Sequence, residues 1–290
     1  MEDFLPTFLN IIVPLFSVLS MLSAGLAYTL HEIIEPLQNK KGVILMLAAN
    51  FMLVPALTIL IIKVFSLHPT LEAGLVLVAC GAGAPFLIKL ATMAKVDVAL
   101  AASCLILLLP ATVIFMPLVV PLAIPEAEVS TRSIMVPLLL TMLLPLAAGL
   151  LLKRSLPDWA KQLQPWAAKL STITLVLLFL ATLLLYFGTV LSLFGTGAIL
   201  AAIVFVVGCY VIGYLIGWFS DARELIGFAT AQRNIAAATV VATLSFETRG
   251  PLVMVIILSL ISMLILFPFA WWHGKRKQEE ITKLNISYGK

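Results

Sequence analysis

The stretch Ala79-Cys80-Gly81-Ala82-Gly83-Ala84-Pro85-Phe86-Leu87-Ile88-Lys89-Leu90-Ala91-Thr92-Met93-Ala94-Lys95 constrains the fold most strongly. It belongs to an apolar run, residues 71–94, long enough to cross a bilayer as a helix. Small residues and a proline interrupt that run, and Lys89 follows the interruption. Gly and Pro unwind a helix, and backbone freed at membrane depth must line a cavity or be buried in protein. A second run, residues 223–245, carries Phe228-Ala229-Thr230-Ala231-Gln232-Arg233-Asn234, again polar and again with a lone cation at depth. Two interrupted hydrophobic segments in corresponding positions of two halves point to a binding site near the midplane of a transporter.

The rest of the chain agrees with a membrane setting. Apolar residues make up 62% and charged residues 11% of the 290 positions. Soluble domains run near half apolar and about a quarter charged. The pattern predicts an all-α polytopic membrane protein, with 1–290 a single transmembrane domain. Nine runs approach the ~20 residues that a helix needs to cross the hydrocarbon core: 8–30, 42–65, 71–94, 97–120, 133–152, 168–187, 193–218, 223–245 and 250–272. Leu156-Pro157-Asp158-Trp159-Ala160-Lys161-Gln162-Leu163 reads as an amphipathic link at an interface, and the stretch 273–290 as a basic tail.

Nine crossings put the termini on opposite sides. Loops on the N-terminal side hold Lys63, Arg132 and Arg249. Loops on the other side hold Lys40, Lys41, Lys95, Lys153, Arg154, Lys161, Lys169 and Arg223, and the tail holds five more basic residues. The positive-inside rule then predicts an external N-terminus and a cytoplasmic C-terminus, in the cell (inner) membrane. The third and eighth runs point in opposite directions, each the middle of a three-run group, about 42–120 and 193–272. That arrangement is what inverted-topology repeats require.

Several function classes find no support. Cys80, Cys104 and Cys209 are odd in number and lie in apolar runs, so they form no disulfide framework. The basic residues build no broad patch outside the membrane runs, which argues against a nucleic-acid partner. His31, His68 and His273 lie near run ends, and no His-Glu-x-x-His motif occurs. No metal site, cofactor or enzymatic constellation is expected. The expected partners are the lipid bilayer and a small solute.

Particular residues carry a family likeness. Ala94-Lys95-Val96-Asp97-Val98 followed by Ala99-Leu100 resembles the segment after the first broken helix of the bile acid:sodium symporter family. Ala49-Asn50-Phe51 through Pro55 is similar to the preceding helix, and Ala231-Gln232-Arg233-Asn234 stands where that family has a Gln-Asn pair. The likeness spans about residues 20–270. It implies a core of three-span repeats whose two broken helices cross, packed on a panel of the remaining helices, here 8–30, 133–152 and 168–187. It also implies organic-anion substrates moved by alternating access, usually with sodium. The family's sodium ligands are a Ser-Asn pair, hydroxyls in the next span, and a glutamate. Leu87 and Ile88, Ala101 and Leu105, and Phe228 stand at those positions. Apolar side chains lack the oxygen ligands that a hard cation needs.

The expectation is a small-organic-anion carrier that does not depend on sodium, with Lys89 and Arg233 in the ion-site region. A charge near the bilayer centre costs at least ~2.5–3.5 kcal/mol and usually faces a cavity or a partner. Arg233 is suited to bidentate contact with a carboxylate, and Lys89 acts as a point charge. Gln232, Asn234 and Thr230 supply further hydrogen-bonding groups, Asn50 lies on the preceding helix, and Pro85 marks the first break. The two breaks are expected near Gly81–Pro85 and Phe228–Gln232. Snorkelling and structural pairing are the plain alternatives for both cations. Alternatives at the level of function are a sodium-coupled symporter using backbone ligands, or a sensor on the same fold. An arsenite carrier would pair Cys80 with an acid that the surroundings of Phe228 do not offer.

Overall fold

A computed structural model describes residues 4–29, 31, 34, 38–84, 86–125, 130–192, 195–220 and 222–288. The described backbone is helical with short connections. In chain order the helices are α1 Phe4–Ala27, α2 Lys40–Phe65, α3 Pro69–Cys80, α4 Phe86–Ala94, α5 Val98–Ala123 and α6 Thr131–Ser155. They continue with α7 Pro157–Ser192, α8 Ala198–Gly217, α9 Arg223–Ala231, α10 Ile235–Leu244 and α11 Gly250–Tyr288.

Among the described residues, five helical stretches are long and apolar enough by themselves to cross a membrane: α2, α5, α6, α8 and Gly250–Glu280 of α11. Their outer faces carry large apolar side chains in the open, such as Met52, Val64, Ile114 and Leu122. Water penalises such faces and lipid does not. The chain is an integral membrane protein.

Prolines shape two of the long helices. Pro55 and Pro145 have no N–H to donate, so the turn before each widens. Val54 N–H reaches back to Ala49 O, and Leu144 N–H to Leu139 O. The first widened turn carries Asn50 and the second carries Thr141.

Two groups of helices pack around one apolar core. α1 lies against α6 and α7. At the α1–α6 contact, a Cβ on Gly25 would sit 2.3 Å from Leu146 O, and one on Gly149 would sit 2.7 Å from Leu22 O. Only glycines allow the backbones so close. In the other group, α11 packs on α3, α4 and α8, and α8 packs on α9 and α2. α1 also meets α10, and α7 meets α11, which joins the groups.

Two local features differ from expectation. The amphipathic link at 156–163 is the first part of one continuous helix, α7, of 36 residues. The basic tail extends α11 as helix to Tyr288.

Candidate functional site

α3 and α4 are separated by residues 81–84, and each feature of that segment has a cause. α3 ends where Gly81 turns to φ −89°, ψ 100°. Gly83 has φ +75°, and a Cβ there would sit 2.7 Å from Leu109 N on α5. An L side chain is therefore excluded twice, by conformation and by space. Between them, Ala82 is clamped by Thr112 of α5. Its N–H donates to Thr112 Oγ1 at 2.8 Å, and that hydroxyl donates to Ala82 O at 3.0 Å. Pro85 lies outside the described residues.

The second break falls at Gln232–Asn234 rather than at Phe228–Gln232. Phe228 through Ala231 remain helical, and Gln232 N–H still donates to Phe228 O at 2.8 Å. Phe228 is locked by rings, with centroids of Tyr210 at 5.3 Å and Phe269 at 5.7 Å. The chain turns only at Gln232 (φ −78°, ψ 90°), and Asn234 caps α10 by accepting from Ala237 N–H at 3.0 Å. Capping by Asn supplies the start signal that the sequence otherwise lacks here.

The two breaks meet. Asn234 N–H donates to Gly81 O at 2.9 Å, and Asn234 Nδ2 donates to Gly83 O at 3.1 Å and to Ala82 O at 3.4 Å. Backbone carbonyls released by one interruption are thus satisfied by the other, as buried polar groups require.

Arg233 is buried, with 1% of its surface exposed. Its Nε donates to Val78 O at 3.3 Å, and one terminal nitrogen donates to Ala79 O at 2.6 Å. The other donates to Thr230 O at 3.2 Å and to Asn50 Oδ1 at 2.5 Å. Val78 and Ala79 lie in the last turn of α3, and Thr230 in the last turn of α9. Last-turn carbonyls have no intrahelical donor and carry the negative end of the helix dipole. One guanidinium therefore closes two helix C-termini at once, with its charge balanced by oxygens rather than by a carboxylate.

Asn50 is oriented for this contact. Its Nδ2 donates to Met46 O at 3.0 Å, which turns Oδ1 toward Arg233. Thr230 is buried behind the same contact, against Gly213 of α8.

Two cavities flank the crossing. The inner one, about 70 Å³, takes Gln232, Arg233 and Asn234 on one wall and apolar residues of α1, α7 and α11 on the others. Gln232 is 6% exposed, and its Oε1 has no hydrogen-bond partner among the described residues. The outer cavity, about 160 Å³, lies among α1, α4 and α7 and includes Lys89. Lys89 Nζ donates to Thr172 Oγ1 at 3.1 Å and sits 5.2 Å from the centre of the Phe86 ring.

The sequence candidates thus divide. Gln232, Arg233 and Asn234 share the inner cavity, whereas Lys89 is in the outer one. Asn50 and Thr230 lie in neither lining and act on Arg233 from behind. Of the residues expected from the resemblance to stand at the sodium-ligand positions, Leu87, Ala101, Leu105 and Phe228 are buried in the apolar core, and Ile88 lines the outer cavity. Sequence reasoning missed Thr112, Thr172 and Phe86. For Thr112 a signal existed, a lone hydroxyl between Pro110 and Pro117 in an apolar run.

Among the described residues, no group of His, Cys, Asp and Glu is arranged to hold a metal ion. Comparison with curated proteins gives no match. A family model does match, over residues 14–196, a span that includes the first break, the Thr112 clamp, Lys89 and Thr172. The chain belongs to the sodium bile acid symporter family.

Proposed function

We propose that this protein is a secondary transporter for small organic anions, working by alternating access and not coupled to sodium. The observation that carries this reading is the set of four oxygens around the Arg233 guanidinium. Converging carbonyl and amide oxygens are what a hard cation seeks. Here a tethered cation already holds them, beside positions whose side chains are apolar. A protein with its own cation at the crossing has no exchangeable charge to couple there. Lys89, whose ammonium meets Thr172 and the Phe86 ring among the described residues, receives the anion. Gln232, whose Oε1 has no partner among the described residues, takes its hydrogen-bonding group in the inner cavity.

The same reading assigns nine crossings, with α3–α4 and α9–α10 each counted as one broken span. The inverted repeats are 42–120 and 193–272, and α1, α6 and α7 form the panel. Alternating access moves one group against the other, along the cleft that both cavities occupy. The N-terminus lies outside and the C-terminus in the cytoplasm of a cell membrane. Aromatic and basic residues support that orientation. All five tryptophans (Trp159, Trp166, Trp218, Trp271 and Trp272) fall at the end assigned to the cytoplasm. Four of them carry a cation on the ring, from Lys169, Arg223, Lys275 and Arg276. Such pairs suit an anionic headgroup layer.

The test is uptake into proteoliposomes. A panel of organic anions is presented with inward sodium or inward choline gradients at a clamped membrane potential. Equal uptake in both supports the reading. Uptake that rises with the sodium gradient would mean a sodium symporter with other ligands, and binding without uptake would mean a sensor.

A further inference from the structure

The two cavities are stacked, one helical turn apart, along the same two helices. Phe16 lines the inner cavity and Ser20 the outer one on α1, and Leu175 and Thr172 do the same on α7. One residue belongs to both linings: Phe86, the first residue of α4. Its ring stands between Lys89 Nζ, 5.2 Å from the centroid, and the Phe267 ring of α11, 6.1 Å away and edge-on at 63°.

The chambers differ in chemistry. The outer one offers Lys89, Ser20, Ser23, Gln164, Ser171 and Thr172. The inner one is largely apolar, yet it contains the Gln232 amide, whose oxygen has no partner among the described residues. A buried amide with an unmade hydrogen bond is costly unless a ligand or water completes it.

Resting on the anion-transport reading, we propose that Phe86 is the partition between the chambers and Lys89 its latch. The ammonium that holds the ring face is also the group that receives the anion in the outer chamber. A carboxylate or sulfonate is a stronger partner for an ammonium than a ring face is. An anion arriving at Lys89 therefore draws Nζ away from Phe86 and leaves the ring its edge-on contact with Phe267. The ring then turns aside, and the apolar body of the anion enters the inner chamber toward Gln232. Phe86 selects for anions in this scheme, because a neutral or cationic solute does not release the latch.

Thiol labelling of the full chain in lipid nanodiscs tests the partition without any transport measurement. The native Cys80, Cys104 and Cys209 are all buried, so the unsubstituted protein sets a low background. Ser23→Cys reports the outer chamber and Ser262→Cys the inner one, with Ser259→Cys as a second inner reporter should the first fail to fold. The probes are a sulfonate and a trimethylammonium methanethiosulfonate of similar size. Phe86→Ala is expected to raise inner labelling roughly tenfold relative to outer labelling, because truncation removes the whole ring from the passage. Lys89→Met is expected to remove the preference of Ser23→Cys for the sulfonate. It should also speed inner labelling by roughly fivefold, the loss of one ammonium–ring contact.

Unchanged inner labelling in Phe86→Ala overturns the partition, and a sulfonate preference that survives Lys89→Met overturns the latch. If both labelling effects hold but no anion is taken up by proteoliposomes, the transporter reading fails while the partition stands.

Discussion

Arg233 donates to the side-chain oxygen of Asn50 at 2.5 Å, across 183 positions of sequence. The contact joins the widened turn of α2 to the second break. It depends on Pro55, whose missing N–H widens that turn, and on Met46 O, which takes the other end of the amide. A bond between such distant segments fixes α2 against the second break. It also explains how a full positive charge stays buried without a carboxylate.

Arg233→Lys is therefore expected to behave as a severe change. Lysine has three donors on one nitrogen and cannot span oxygens set around a planar fork. Hydrogen bonds to charged groups are each worth about 1.5–3 kcal/mol, so loss of even one or two destabilises by several-fold more than a surface change. Arg233→Met and Asn50→Leu are each expected to lower the thermal midpoint in nanodiscs. The double variant is expected to lose less than the sum of the singles, because the partners share one bond. Strict additivity would show that the contact contributes nothing. Millimolar guanidinium is expected to restore part of the stability of Arg233→Ala.

The first break was legible in the sequence because Gly81-Ala82-Gly83-Ala84-Pro85 names its own cause. The second was legible as a polar interruption but placed four residues early. The stretch 228–234 holds neither Gly nor Pro to fix the position, and the rings around Phe228 keep the helix intact through Ala231. Asn234, which caps α10, gave the true position. Of the two cations expected at depth, Arg233 is buried and Lys89 is exposed at the cavity edge, because sequence spacing does not tell which way a side chain leaves a break. Arg233 turns toward the C-terminal ends of α3 and α9, and Lys89 turns toward α7. Thr112 stands out in the sequence as a lone hydroxyl between Pro110 and Pro117 in an apolar run, but what it holds is visible only once α5 lies beside the first break.

Thr112→Val tests that role. Valine has the shape of threonine but leaves the Ala82 N–H and C=O without their partner, at a cost of about 1–3 kcal/mol for each unsatisfied buried group. Thr58 gives the control. Its hydroxyl bonds back to Val54 O within its own helix, where the carbonyl keeps other acceptor capacity. Thermal unfolding is expected to show a large loss for Thr112→Val and a small one for Thr58→Val. Equal losses would refute the clamp.

Two glycine substitutions are expected to act with opposite sign. Gly83→Ala must hold a side chain at φ +75° and place a Cβ 2.7 Å from Leu109 N. Strain of this kind costs on the order of 1–3 kcal/mol before any shift of α5. Gly188, by contrast, lies within α7 with nothing within 4 Å of its added Cβ among the described residues. Gly188→Ala is expected to stabilise by about 0.5–1 kcal/mol through helix propensity. Guided by these signs, unfolding midpoints of the two variants should fall on either side of the parent.

Lys89→Met separates binding from stability. The ammonium has one hydrogen bond, to Thr172, and one ring contact, both at the edge of a cavity. Removing it costs the fold about 1 kcal/mol at most, since partly solvated interactions of this kind are weak. Anion binding should suffer far more, because the cavity loses its cation: a fall of roughly tenfold or greater in affinity corresponds to about 1.4 kcal/mol. Lys89→Arg keeps the charge and is expected to retain binding while changing which anion head is preferred, because guanidinium favours planar bidentate groups. The measurement is the upward shift of the unfolding midpoint by a graded series of alkanoates, in sodium chloride and in choline chloride. A ligand that binds the folded state raises its midpoint by mass action, and sodium without differential affinity shifts nothing. The expected result is an alkanoate shift that Lys89→Met abolishes and that is the same in both salts. A shift that survives Lys89→Met, or that appears only in sodium, would return Lys89 to a structural role.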